Sequence, residues 1–306
     1  MPFVNYTFET VNCNLCNSNE YEEVSNKGKF GLPIHVVLCK NCGLGYLNPR
    51  WDRGSYLHFY QHEYDKYYRP KGSANANIAI DELNLIAERL TRLNLLPTEA
   101  EKILDIGSGE GENLMHFDTL FPNSNLYAIE PSIESKKSLE AYGVTVIGDD
   151  VDTDWHLGYE SAFDFIILRH VLEHFLDPLE VLKKVRAVLR DSGIIYLAVP
   201  NNLKPTQNLE KSWFRNVHTY YFNKFTLTKL FEKAGFKILG LVDEDDLCKG
   251  EMFIIAQRGE LKMPTFKNEH FELQKDVFES KLSNEKTMGY KLNAVQRKIK
   301  RFLSKI

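Results

Sequence analysis

Between residues 101 and 258, short apolar runs alternate with stretches of helical period. Ile103–Ile106, Leu126–Ile129, Val144–Ile147, Phe165–Leu168 and Ile194–Val199 have the pattern of strands buried on both faces of a parallel sheet. Phe236–Val242 and Glu251–Gln257 predict a closing antiparallel pair. A helix is predicted from Asp177-Pro-Leu-Glu180, where Asp177 can cap, Pro178 suits the first helical position and Glu180 can complete a capping box. Its apolar face is Leu179, Leu182, Val185 and Leu189. A second helix, Phe225–Ala234, is closed by Gly235. Strands alternating with helices imply an α/β fold, a doubly wound, mostly parallel seven-stranded sheet.

Three other segments flank this pattern. Residues 1–50 read as a small module, and residues 51–100 as an aromatic linker with a lead-in helix. The linker carries Trp51, Tyr56, Phe59, Tyr60, Tyr64, Tyr67 and Tyr68. The helix places Leu83, Ile86, Leu90 and Leu93 on one face and ends near Pro97. Residues 259–306 form a helical extension, where Leu292, Val295, Ile299, Phe302 and Ile306 share a face ringed by Arg297, Lys298, Lys300, Arg301 and Lys305. Such a stripe packs on its own domain or on a second subunit as a homodimer, or lies on an anionic membrane surface.

Composition narrows the setting. The chain has 306 residues, 43% of them hydrophobic, enough for one large or two modest cores. A net charge of −4 provides no basic field for nucleic acid, and none is expected as a partner. No run approaches the roughly 20 apolar residues of a membrane span. The start, Met-Pro-Phe-Val-Asn-Tyr, lacks the features of a secretory signal, so a reducing, cytoplasmic location is expected.

In that setting, paired cysteines read as metal ligands. Cys13-x-x-Cys16 and Cys39-x-x-Cys42 offer four thiolates, the set a structural zinc takes, with no open position for catalysis. Gly43 follows the second pair, where a tight turn favours a residue without Cβ. The first 50 residues are too few for much core, and a metal would supply the missing stability.

The second constellation is a glycine loop, Leu104-Asp-Ile-Gly-Ser-Gly-Glu-Gly111, with Glu112 where a dinucleotide fingerprint needs glycine. Asp105, inside the strand end, suits a ligand ammonium better than a pyrophosphate. Glu130 closes the second strand, where a carboxylate can take two ribose hydroxyls. Gly148-Asp149-Asp150 follows the third, where an acidic loop can meet an adenine amino group.

These stretches, with Ala128-Ile-Glu-Pro131, Phe163-Asp-Phe-Ile-Ile-Leu-Arg-His-Val-Leu-Glu-His174 and Leu189-Arg-Asp-Ser-Gly-Ile-Ile195, resemble class I S-adenosylmethionine-dependent methyltransferases, whose sheet is Rossmann-like. The cysteine module with Cys42-Gly-Leu-Gly-Tyr-Leu-Asn-Pro49 resembles the N-terminal part of a subgroup that includes sugar C-methyltransferases and polysaccharide-locus methyltransferases. The resemblance spans residues 12–258. It implies that Asp105, Gly107, Ser108, Gly109, Gly111, Glu130, Asp149, Asp150 and Arg169 line S-adenosylmethionine, and that Tyr64, Tyr67 or Tyr68 closes over it.

For the chemistry the candidates are His170, Glu173 and His174 after the fourth strand, and His218 after the fifth. In the sugar C-methyltransferases the last segment resembles Tyr-His-Glu-His-x-x-Tyr-Phe. Here His218 matches the second histidine, while Asn216 stands for the first and Arg215 for the tyrosine. That departure favours O-methylation with His218 as base, on a sugar, nucleotide-sugar or related cell-surface polysaccharide (capsule) precursor; C-methylation is the alternative. A second expectation is a divalent cation held by His170, Glu173, His174 and His218, which resembles the site of metal-dependent small-RNA terminal methyltransferases. A zinc-guided RNA methyltransferase is disfavoured, since Arg169-His170-Val171-Leu172 replaces the Asn/Asp-Pro-Pro-aromatic base-binding motif. A non-catalytic module built on the cofactor fold is disfavoured by the intact glycine loop and Glu130.

Overall fold

The computed structural model describes residues 6–31, 33–68 and 85–303, with side chains given up to residue 287. Leu83 and Ile306 lie outside the described residues, as do the side chains of Leu292, Val295, Ile299 and Phe302.

The strands are β1 (Phe8–Glu9), β2 (Tyr21–Lys27), β3 (Pro33–Cys39), β4 (Gly45–Leu47), β5 (Arg50–Trp51), β6 (Lys102–Ile106), β7 (Asn125–Ile129), β8 (Thr145–Gly148), β9 (Phe163–Arg169), β10 (Leu189–Pro200), β11 (Tyr220–Tyr221), β12 (Phe236–Val242) and β13 (Glu251–Arg258). The helices are α1 (Arg53–His62), α2 (Tyr64–Tyr68), α3 (Leu85–Arg92), α4 (Glu112–Leu120), α5 (Ile133–Tyr142), α6 (Pro178–Val188), α7 (Lys224–Ala234) and α8 (Asn268–Leu303).

The main sheet has seven strands in the order β12-β13-β10-β9-β6-β7-β8. Strands β6 to β10 run parallel, and β13 lies antiparallel between β10 and β12. The five predicted parallel strands and the closing pair are all present. The central strands β6, β9 and β10 are buried on both faces, with Leu104, Leu168 and Leu197 in one cluster and Ile103, Phe165 and Tyr196 in the other, while the edge strands β8 and β12 are only partly buried. The chain winds outward through β6, β7 and β8, then returns to β9 beside β6. That reversal opens a crevice at the carboxyl ends of the strands, where such sheets bind ligands.

Two local expectations change. Leu189 opens β10 instead of closing a helix, and a register shift separates it from Ile194. The capping box at α6 does not form. Asp177 Oδ1 accepts from Glu180 N at 2.9 Å, while the Glu180 carboxylate pairs with Lys183 at 3.0 Å. Asn14, inside the first cysteine pair, also reaches α6: its amide donates to Asp177 Oδ1 at 2.8 Å, and its Oδ1 accepts from Leu179 N at 3.1 Å.

A second sheet has the order β11-β4-β3-β2. Its outer strand β11 comes from beyond β10, with Tyr220 opposite Tyr46 and Tyr221 opposite Gly45. Cys13, Cys39, Cys42 and Tyr46 belong to the same buried cluster as Leu104, Leu168 and Leu182. The small module and the main sheet therefore share one core. Helix α8 packs on the module through Phe278 and Leu282, which join Ile34, Val36, Phe214 and Tyr221 in a third cluster. Its buried Gln274 donates to Asn202 O at 2.8 Å and accepts from Asn223 at 2.9 Å. Among the described residues, no helix is long and apolar enough to cross a membrane.

Candidate active site and metal centre

The glycine loop turns sharply from β6 into α4. Gly107 has φ +72°, and a Cβ there would lie 2.3 Å from Val171 Cγ1. Gly111 has φ +91°, and a Cβ there would meet Leu139 Cδ2 at 2.7 Å. Only glycine fits both positions. Glu130 ties two loops together: Oε2 accepts from Gly109 N at 2.8 Å and Oε1 from Ser132 N at 2.9 Å. Ser108 Oγ is buried and has no hydrogen-bond partner among the described residues. Asp105 is buried at the end of β6, with Asn113 Nδ2 donating to it at 3.2 Å. Burial, reinforced by Glu130 and Glu112, pushes its carboxyl up to about 8.

A cavity of about 340 Å³ opens at this edge. Gly107, Glu130, Asp149, Asp150 and Arg169 line one side, and Tyr56, Tyr60 and Tyr64 of α1 and α2 line another. His170 and His174 complete the wall. Asp105, Ser108, Gly109 and Gly111 sit in or behind the loop, outside the lining. Tyr68 also stands back, its hydroxyl donating to Asn216 Oδ1 at 3.1 Å and its ring stacked on Tyr64 at 5.0 Å. Asp150 is met by Arg53 of α1 at 2.5 Å, which brings the aromatic linker over the cavity.

The predicted four-residue cluster divides in two. His170, at φ +55°, turns to Glu251 at the start of β13. Burial alone would lower the His170 pKa, but Glu173 and Glu251 outweigh it and hold it at about 9. Glu251 is in turn anchored by Arg89 of α3. This buried carboxylate draws His170 out of the expected metal set. Glu173, His174 and His218 stay together, with candidate ligand atoms within 4.8 Å of one another. The Tyr60 hydroxyl and His174 Nδ1 are hydrogen-bonded at 2.8 Å, and His174 Nε2 lies 3.8 Å from Glu173 Oε1. The His218 ring stands edge-on to His174 at 4.9 Å, behind it and outside the cavity lining. Burial lowers the pKa of both imidazoles, most strongly that of His218, so both are neutral near pH 7. Burial keeps the Tyr60 phenol protonated.

Tyr60, Arg53, Glu251 and Arg89 were not singled out from the sequence. Glu251 had a signal, a carboxylate heading an otherwise apolar strand. Arg53 had none.

The four cysteines converge. Cys13 and Cys42 Sγ are 3.5 Å apart, Cys16 and Cys39 Sγ 3.4 Å, and all four lie within 4.8 Å of one another. A tetrahedral zinc with Zn–S of about 2.3 Å needs sulfurs about 3.8 Å apart, so the donor set fits. Each pair ends in a left-handed residue, Asn17 at φ +62° and Gly43 at φ +74°. Asn17 N donates to Cys13 O at 2.7 Å and Gly43 N to Cys39 O at 2.9 Å, making two equivalent knuckle turns.

Residues 78–241 match the family described as a methyltransferase domain. The chain belongs to that methyltransferase family. Its sheet order and glycine loop are those of the Rossmann-like class I S-adenosylmethionine-dependent fold. The C-methyltransferase NovU of Streptomyces niveus is 23% identical over 237 residues, covering 75% of this chain and 52% of that protein. The chain thus spans about half the length of this curated relative. Among solved structures, an O-methyltransferase family protein from Burkholderia thailandensis has a TM-score of 0.48 and 16% identity, covering 69% of this chain and 68% of its own. An S-adenosylmethionine-dependent methyltransferase from Mesorhizobium loti has a TM-score of 0.46 and 17% identity, covering 57% of this chain and 98% of its own.

Proposed function

We propose that this methyltransferase-family chain moves the methyl group of S-adenosylmethionine to a hydroxyl oxygen of a sugar, nucleotide-sugar or related polysaccharide precursor. The observation that carries this reading is the Tyr60–His174 hydrogen bond on the wall of the cavity that Gly107 also lines. Bound S-adenosylmethionine supplies a sulfonium methyl for in-line displacement.

The chain's own residues do the rest. Gly107 leaves room at the loop for close approach. Glu130, beside the cavity, has further acceptor capacity for ribose hydroxyls. Tyr60 takes the hydroxyl proton of the acceptor while passing its own to His174 Nδ1. The resulting imidazolium faces the Glu173 carboxylate, 3.8 Å from Nε2. His218 supports the His174 ring from behind, so the base role first expected of His218 moves to the residue the cavity reaches. Zinc on the four thiolates is structural in this reading.

C-methylation of a sugar is the second reading, favoured by the likeness to NovU. Both are tested by offering nucleotide sugars with a methyl-labelled cofactor and locating the label by NMR on oxygen or carbon. His174→Ala should lower turnover by about 10²–10⁴ with S-adenosylhomocysteine binding kept. Unchanged turnover on the acceptor so found defeats the base assignment.

A further inference from the structure

Beside the cavity lies a second constellation that the proposed chemistry does not use. The turn Lys29–Gly31 between β2 and β3 carries Phe30 at φ +66°, a region bulky side chains rarely adopt. The Phe30 ring is exposed and stands 5.6 Å from Tyr67 and 5.7 Å from Tyr68. Lys29 Nζ lies 4.9 Å from the Phe30 ring and 5.0 Å from the Tyr68 ring. Lys29 N donates to Phe214 O at 2.7 Å, which fixes this turn against the residue preceding Arg215. The Arg215 Nε donates to Ser212 O at 3.0 Å.

Neither Lys29 nor Arg215 has a carboxylate partner among the described residues. They are half-buried, far apart in sequence, and close enough that Arg215 adds to burial in lowering the Lys29 pKa. Two adjacent cations with no counter-charge among the described residues repel each other, and an anion between them reverses the sign of that energy. The aromatic path runs on to the cavity: Tyr68 stacks on Tyr64, which lines it.

We infer that Lys29 and Arg215 bind the diphosphate of the acceptor and that the exposed Phe30 ring stacks on its nucleobase. This rests on the reading of the acceptor as an activated sugar, and it narrows that class to nucleoside-diphosphate sugars. A diphosphate suits two cations from different loops, and an exposed aromatic ring suits a planar base.

The test is calorimetry of the full-length protein with uridine diphosphate, thymidine diphosphate and inorganic pyrophosphate, with S-adenosylhomocysteine as a folding control. At least one nucleotide should bind. Lys29→Met and Arg215→Met should each weaken it by about tenfold or more, the scale of a charge-assisted hydrogen bond. Phe30→Ala should weaken the nucleotide and leave pyrophosphate unchanged. With S-adenosylhomocysteine binding intact, absence of nucleotide binding, or nucleotide binding insensitive to both Lys29→Met and Arg215→Met, overturns the inference. Insensitivity to Phe30→Ala overturns the stacking. Methyl transfer to a phosphate-free sugar, uninhibited by nucleotide, sinks the inference and leaves the proposed activity standing. Nucleotide binding that depends on Lys29 and Arg215, with no methyl transfer to any nucleotide sugar, does the reverse.

Discussion

Gly107→Ala isolates the geometry of the cofactor loop. Two costs arise at once. Alanine at φ +72° sits in the left-handed region, at about 1–2 kcal/mol. Its Cβ also comes 2.3 Å from Val171 Cγ1 and 3.2 Å from Val171 Cβ, and forced packing of this kind costs about 1–3 kcal/mol. Together they amount to about 2–5 kcal/mol, divided between global stability and cofactor affinity according to how far the loop shifts. The two costs can be separated, because only the second involves Val171. Val171→Ala alone should cost about 1 kcal/mol, the scale of a small truncation at a partly buried site. The double variant Gly107→Ala/Val171→Ala should regain the steric part and keep the backbone part. Urea denaturation and S-adenosylhomocysteine titration on all four proteins give the cycle. If Gly107→Ala melts and binds like the parent, the loop is not held as described. If the double variant is no better than Gly107→Ala, Val171 is not what the methyl meets.

Two other outcomes are expected. Cys42→Ser should abolish stoichiometric zinc; since metal binding to such sites is worth about 10–16 kcal/mol, comparable to whole-domain stability, hydrogen-exchange protection should fall in residues 13–47, 215–222 and 268–287 while β6, β7 and β8 stay protected. Full zinc content in the variant, or loss confined to residues 13–42, would refute the shared-core account. The Asp105 carboxyl is held near 8 by burial, so below that pH it is protonated in the free protein, and the proposed pairing with a ligand ammonium would release the proton. Affinity for S-adenosylhomocysteine should rise with pH up to about 8; calorimetry at pH 6.5 in buffers of different ionisation enthalpy should show proton release that Asp105→Asn removes, and equal heats in all buffers would count against it. The same sign makes Asp105 a destabilising group in the free protein, with stability falling as pH rises from about 4 toward 8.

The part of the cavity wall built from Gly107, Glu130 and Asp150 was legible because its signals are local. Gly107, Glu130 and Asp150 each end or follow a strand whose apolar run marks it, and strand ends in such a sheet meet at one edge. The part built from Tyr60 and His174 was not. Tyr60 and His174 come together only because α1 is laid over the strand ends, with Arg53 held to Asp150. The pairing of His170 with Glu251 depends on β13 lying beside β10, and no spacing within residues 169–175 announces it. Strand β11 is two residues long, too short for any periodicity, and yet it joins the cysteine module to the rest. At the C-terminal end, the side chains of the stripe at 292–306 lie outside the described residues, while Phe271, Phe278 and Leu282, at similar spacing one segment earlier, are buried along α8.

That short strand also links the thiolate cluster to the cavity wall. The two knuckle turns fix the cysteine pairs, the second of which closes β3 and leads into β4. Strand β4 pairs with β11, and Thr219, next to β11, donates from Oγ1 to Glu173 O at 2.9 Å and to Phe175 O at 2.7 Å. Both acceptors flank His174. The position of the His174 ring is therefore set from two directions: by β9, which delivers the loop at one end, and through Thr219 and β11 by the thiolate cluster at the other. Gly107 and Glu130 instead follow β6 and β7, strands held in the ladder of the main sheet. Loss of zinc should accordingly fall on turnover, through a displaced His174, well before it falls on cofactor affinity.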